Sequence, residues 1–262
     1  MTLGVKEGRS ARRTPARQGL AGGSSLAGES PSIKMGEFER ALALLSKNLF
    51  PLSFSRRGLG GEDLVVDQIR SFIAIELPDE LTRELGELEA RLKSGKQPWV
   101  KWVEPNSIHL TLKFLGNINI NSTEEITKAM EEAARGIAPF QLEVKGVGVF
   151  PNLKRVQVVW VGLGGEIDKL SQLQQRLESN LERLGFAPET RKFTAHLTLA
   201  RVRDQASLEE RQRFGQLIAG TKFEAGTIKV DAINLMRSQL TREGAIYSRI
   251  SSVRLKKALA NC

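Results

Sequence analysis

His109-Leu110-Thr111-Leu112 and His196-Leu197-Thr198-Leu199 are the same four residues, 87 positions apart, and their histidines are the two histidines of a 262-residue chain. A triple match after each histidine is roughly a one-in-a-thousand coincidence at average residue usage. In an extended strand alternate side chains share a face. Each copy thus sets His and Thr on one surface, about 6.6 Å apart, and two leucines on the other. Each copy offers an imidazole and a hydroxyl outward and anchors itself in a core.

The segments around each copy read as strands and helices in alternation. Before the first copy, residues 72–75 form an apolar strand closed by Pro78. Pro78-Asp79-Glu80 then opens a helix whose stripe is Leu81, Leu85, Leu88 and Leu92. A short strand over 100–103 follows, and the motif strand spans 108–115, ending at Gly116-Asn117. Next comes a helix over 122–135, with Ser122 or Thr123 as its cap. Residues 140–149 alternate as a strand in which Gly146 and Gly148 allow a bulge. A second strand over 155–163 breaks at Gly164-Gly165, and a helix over 166–184 ends at Gly185.

The second motif strand spans 196–202. Beyond it lie a helix over 208–218 with a Ser207/Glu210 capping box, then strands over 228–236 and 245–250 joined by a hairpin loop at 241–244. Strands and helices recur in similar order around both copies, so the predicted class is α+β with two related halves, one copy in each.

Residues 1–33 are rich in Gly, Ser, Ala and Arg without apolar periodicity and read as disordered. A short amphipathic helix is expected over 36–50, and 51–61 reads as a linker. The division expected is an N-terminal extension, 1–67, and a folded domain, 68–262. Hydrophobic content of 40% and charged content of 26% are those of an ordinary globular chain. No apolar run nears the roughly 18 residues of a membrane span. The single cysteine, Cys262, excludes a disulfide framework and a thiolate metal cluster, and fits a reducing, cytoplasmic setting. Residues 1–66 hold ten Lys/Arg and six Asp/Glu, so +4 of the net +9 lies outside the expected domain. The remaining +5 suits an anionic substrate such as a phosphate ester or RNA.

Two imidazoles facing one cleft can act at neutral pH as one base and one acid. That pairing suits in-line displacement at phosphorus, with the threonine hydroxyls donating to non-bridging oxygens. Two histidines without a flanking carboxylate cluster fall short of a zinc set, so no metal and no cofactor are expected. A Gly-x-Ser-x-Gly elbow and a P-loop ending are both absent.

Residues 72–77, 102–116 (Trp-Val-Glu-Pro-Asn-Ser-Ile-His-Leu-Thr-Leu-Lys-Phe-Leu-Gly) and 191–203 (Arg-Lys-Phe-Thr-Ala-His-Leu-Thr-Leu-Ala-Arg-Val-Arg) together resemble the two-histidine phosphoesterase superfamily. More narrowly, they resemble the RNA 2′,3′-cyclic phosphodiesterases, also called 2′-5′ RNA ligases. The resemblance runs from Gln68 to the C-terminus. It implies a bilobal fold of two pseudo-twofold-related lobes, mainly antiparallel sheet with outer helices, around a cleft holding both motifs.

It further implies that His109 is the proton donor to the leaving ribose oxygen and His196 the proton acceptor that activates water. Thr111 and Thr198 match phosphate-contacting threonines. Arg201 matches a basic residue near the phosphate, but five residues is an odd offset from His196, which sets Arg201 on the opposite strand face unless the strand bends. Phosphate contact and a solvated strand-end charge are both open for it. The implied reaction hydrolyses RNA 2′,3′-cyclic phosphate ends to 2′-phosphomonoesters, with 2′-5′ ligation as its reverse. RNA ends or small cyclic nucleotides are the expected partners of a monomer that binds no membrane. Two alternatives remain: another 2′-5′-linked or cyclic phosphate substrate, or a nucleotide-binding module without turnover.

Several residues invite a role and have a plainer reading. Trp102 and Phe114 can stack on a base, but aromatics beside apolar strands usually pack in a core. Lys113, two residues beyond Thr111, is placed on the motif face as a surface lysine. Arg155, Lys192 and Arg203 read as solvated charges, and Tyr247 as packing.

Overall fold

The computed structural model describes residues 67–93, 97–242 and 244–257, all within the compact unit Asp63–Cys262. The expectations for residues 1–66, including the helix over 36–50, lie outside the described residues.

The elements run β1 (Gln68–Glu76), α1 (Asp79–Leu92), β2 (Val100–Trp102), β3 (His109–Asn119), α2 (Thr123–Ala134), β4 (Arg135–Gly136), β5 (Phe140–Phe150), β6 (Val158–Gly165), α3 (Ile167–Glu182), β7 (His196–Val202), α4 (Leu208–Ala219), β8 (Glu224–Val230), β9 (Ala232–Leu240), β10 (Ala245–Arg254) and β11 (Lys256–Lys257). Two sheets dominate. The first has the order β10-β9-β1-β3 and the second β2-β7-β6-β5-β8. Every pairing within them is antiparallel, and β11 joins β4 in a small parallel pair.

Each motif strand is therefore in its own sheet, and β3 and β7 run close enough to touch. One continuous core joins the two sheets. Leu110 and Leu112 of the first motif and Leu197 and Leu199 of the second are buried in it, as period-2 alternation requires. The α1 stripe of Leu81, Leu85, Leu88 and Leu92 and the α3 stripe of Leu170, Leu173, Leu177 and Leu181 close it from outside. Each of these leucines contributes on the order of 1.5–3 kcal/mol of transfer free energy, before chain entropy is set against it. Ser207 and Glu210 form the expected capping box at the start of α4.

Four expectations are corrected. The segment over 228–236 is not one strand. Val230 ends the pairing of β8 with β5 in the second sheet, and Ala232 begins the pairing of β9 with β10 in the first. Asp231 is the single residue at which the chain crosses between sheets, its carbonyl accepting from Leu255 N (2.8 Å). Residues 155–157 precede β6 in a turn closed by Asn152, whose side-chain oxygen accepts from the backbone of Lys154 and Arg155 at 3.0 and 3.1 Å. Gly116 does not end the first motif strand, because a positive φ of 74° at that glycine lets β3 run on to Asn119. Ser122 makes no side-chain cap to α2, which continues directly from a 3₁₀ turn over Ile120–Ser122.

The first sheet is strongly curled. Across four flat strands the outer two lie about 14 Å apart. Yet the ring of Tyr247, on outer strand β10, is 5.1 Å from that of His109 on outer strand β3. The concave side of this curl is where the first motif faces.

Candidate active site

Both motif strands carry the same irregularity. Ala74 pairs with Thr111 and Ile73 with Lys113, so Leu112 is an extra residue in β3. Trp160 pairs with Thr198 and Val159 with Ala200, so Leu199 is the extra residue in β7. A bulge reverses the facing of everything after it. Cross-strand partners share a face. In β6, Val158, Trp160 and Gly162 are partners of Arg201, Thr198 and His196. Arg201 is thus brought onto the face of His196 and Thr198 despite its odd offset. The carbonyl of bulged Leu199 accepts from Val103 N (2.8 Å), which satisfies the polar group that the bulge frees.

By the same shift Phe114 joins His109 and Thr111. It is 57% exposed on the concave face and not in the core. Lys113 is turned the other way. It is 7% exposed, with Nζ 2.6 Å from Glu178 Oε2 and 2.7 Å from the carbonyl of Ala187. It neither lies on the motif face nor forms part of the surface. Trp102 packs edge-on to Phe214 (6.2 Å) beneath Lys93, so its plain reading holds.

The two imidazoles are held alike. His109 Nδ1 donates to the carbonyl of Ser107 (2.8 Å) and His196 Nδ1 to that of Thr194 (2.7 Å), each two residues back. A carbonyl only accepts, so the proton sits on Nδ1 and Nε2 is left as the working nitrogen of each ring. Phe72 stacks on His109 at 4.7 Å, and Tyr247 meets its edge. Phe150 meets the edge of His196 at 5.2 Å and leans on Trp160. The Trp160 indole lies flat over Gly148, where an added Cβ would come within 2.3 Å of the ring.

Burial pushes both imidazoles below the ordinary 6.5, because the desolvated ring resists charge. The hydrogen bonds from Nδ1 oppose this at each site. Nearby charges then act in opposite senses. The Glu76 carboxylate favours the charged form of His109, and the Arg201 guanidinium disfavours that of His196.

Tyr247, read from sequence as packing, links the two motif environments. Its ring meets His109 and Phe72, and its phenol lies within electrostatic reach of Arg201 and Arg70. Burial raises its pKa and the two arginines work against that. Its side-chain pattern is that of any strand tyrosine, so only the curl of the sheet reveals it. The same curl brings in Glu76, registered beside His109, with Asn234 and Arg249 bonded to it. By register, His109 and Thr111 thus share one face of the first sheet, and His196, Thr198 and Arg201 share one face of the second. Arg155, Lys192 and Arg203 are exposed, as expected.

Among the described residues, no three His, Cys, Asp or Glu side chains cluster as a metal site, and no helix is long and apolar enough to cross a membrane.

The profile of the family described as LigT like Phosphoesterase matches twice, over residues 75–160 and 161–247, with one motif in each match. A Methanothermobacter thermautotrophicus protein named RNA 2′,3′-cyclic phosphodiesterase is 34% identical over 189 residues, covering 72% of this chain and 100% of that one. A Thermotoga maritima protein of the same name is 32% identical over 180 residues, 68% of this chain and 91% of its own length. Among solved structures, a Thermus thermophilus protein superposes with a TM-score of 0.60 at 26% identity, covering 72% of this chain and 99% of that one. E. coli LigT, complexed with 3′-AMP, shares the fold with a TM-score of 0.58 at 24% identity, over 73% of this chain and all of its own.

Proposed function

Because the chain belongs to the LigT-like phosphoesterase family, we propose that it hydrolyses 2′,3′-cyclic phosphates at RNA 3′ ends to 2′-phosphomonoesters. His196 Nε2 takes a proton from water as the water oxygen attacks phosphorus. His109 gives its proton to ribose O3′ as the P–O3′ bond breaks. One water is consumed and the two imidazoles end with exchanged protonation, which solvent restores. Thr111, Thr198 and Arg201 hold the non-bridging oxygens, where charge gathers in the transition state. Phe114 offers its exposed face to the terminal base.

The observation that carries this reading is the duplicated imidazole lock. Two half-buried rings on two touching strands are each fixed by a carbonyl so that Nε2 is free, and opposite charges neighbour them. Binding alone needs no such pair of proton-transfer groups. The same geometry runs in reverse as 2′-5′ ligation when ends are concentrated.

The test is product analysis on RNA ending in a 2′,3′-cyclic phosphate, with the 2′- and 3′-phosphate termini resolved. The 2′-phosphate is expected. A 3′-phosphate product, or tight nucleotide binding without turnover, would overturn the proposal.

A further inference from the structure

The two histidines are chemically equivalent, and their backbone locks are alike, so something outside the motifs must decide which one donates. The motif strands differ in what stands next to each ring. On the first sheet, Glu76 of β1 is the direct cross-strand partner of His109 and shares its face. Such partners have Cβ atoms about 4.5–5.5 Å apart. The Glu76 carboxylate is itself fixed. Asn234 Nδ2 of β9 donates to Oε2 at 2.6 Å, and Arg249 of β10 pairs with the same oxygen. Asn234 is buried on a floor formed by Phe72, Ala74 and Met236, where an amide is costly unless bonded, and Glu76 supplies the partner of its NH₂ group.

We propose that Glu76, held by Asn234 and Arg249, is the positioning residue that assigns the donor role to His109, with Arg201 setting the opposite role for His196. The inference rests on the hydrolase reading above and deepens it.

The groups around His109 are accounted for element by element. β1 presents Phe72 and Glu76, and the preceding turn presents the Ser107 carbonyl. Tyr247 of β10 presents a ring edge, with Arg201 of β7 and Arg70 of β1 near its phenol. Glu76 is the carboxylate among them, and its charge favours the imidazolium. Arg249, two residues from Tyr247 on β10, is itself paired with Glu76, and the neighbouring charge that acts on the His109 ring is the Glu76 carboxylate. No comparable carboxylate is registered beside His196, whose partner in β6 is Gly162.

Glu76→Gln keeps the side-chain shape and removes the charge, and Glu76→Asp keeps the charge on a shorter stem. Ring resonances of the two histidines, assigned with His196→Ala, report each protonation midpoint directly and independently of turnover. In Glu76→Gln the His109 midpoint should fall by at least ~0.5 pH unit while that of His196 stays in place. The basic limb of kcat/KM should move down with it, and Glu76→Asp should restore most of the shift. An unmoved His109 midpoint in Glu76→Gln, or an equal fall in Glu76→Asp, overturns the proposal. Failure of the hydrolase reading looks different: wild-type protein would leave cyclic phosphate RNA intact, or His109→Ala would retain full activity.

Discussion

Arg201 and Phe114 occupy matching positions in the two halves, each five residues beyond its motif histidine and each turned onto the motif face by a bulge at the intervening leucine. One half thus presents a cation where the other presents an aromatic face. A nucleotide has the same polarity, anionic at the phosphate and flat at the base. In the proposed function, the asymmetry of the duplicated scaffold matches that of the nucleotide.

Removing each residue should therefore fail differently. Arg201→Ala should lower kcat on cyclic phosphate RNA by ~10²-fold, as the loss of a transition-state donor does. Phe114→Ala should raise KM by roughly 5- to 100-fold, the worth of one stacked base, with a smaller change in kcat. Steady-state kinetics on one RNA substrate separate the two. Equal effects on kcat and KM from both variants would contradict the assignment.

The pH profile follows from the lowered pKa of both rings. In the proposed mechanism activity needs His196 neutral, so it rises as pH passes the His196 value. It needs His109 protonated, so it falls as pH passes the His109 value. Burial holds both below 6.5, and the bell of kcat/KM should be centred on the acid side of that figure. Arg201→Ala removes the charge that depresses His196 and should move the acidic limb to higher pH, whereas Arg201→Lys should leave it near wild type. His109→Ala and His196→Ala should each cost ~10²–10⁴-fold, and treatment with EDTA should cost nothing.

Glu89 gives stability its own pH dependence. Its side chain is fully buried on α1, with Oε2 3.0 Å from Lys93 Nζ and Oε1 without a hydrogen-bond partner. Burial pushes its pKa up to about 7 from 4.5. The folded chain keeps this proton through a range in which the unfolded chain releases it, so stability falls as pH rises from about 4.5 to about 7. The full effect is up to ~3 kcal/mol. Urea unfolding of wild type and Glu89→Gln at pH 5 and pH 8 should show the variant gaining on wild type at the higher pH by an amount of that order.

Lys113 and Glu178 tie β3 to α3 and to the chain at Ala187. Lys113→Met leaves Glu178 without its cation and should destabilise by ~3 kcal/mol or more. Lys113→Met combined with Glu178→Leu should recover much of that loss, because the stranded charge is gone. Thermal melts of wild type and these two variants test this directly.

Much of this site was legible from the repeated tetrapeptide. Strand periodicity alone put both histidines and both threonines on one side and four leucines on the other, and all eight residues are so placed. What periodicity could not supply was its own interruption. A bulge has no fixed sequence mark, so Lys113, Phe114 and Arg201 were each read with the wrong facing or left undecided. Tyr247 and Glu76 escaped for another reason: they reach His109 through pairing and curl, which depend on strand order. Asp231 was readable in principle, as a lone acid between two apolar runs, but the runs on either side merge easily into one strand.

The carbonyl locks on the two imidazoles come from Ser107 and Thr194 through the backbone, not through their side chains. Any residue at either position brings a carbonyl with it. The tautomer that the proposed mechanism uses is therefore set by the path of the chain, and a side-chain replacement at either position that keeps that path leaves the same nitrogen free.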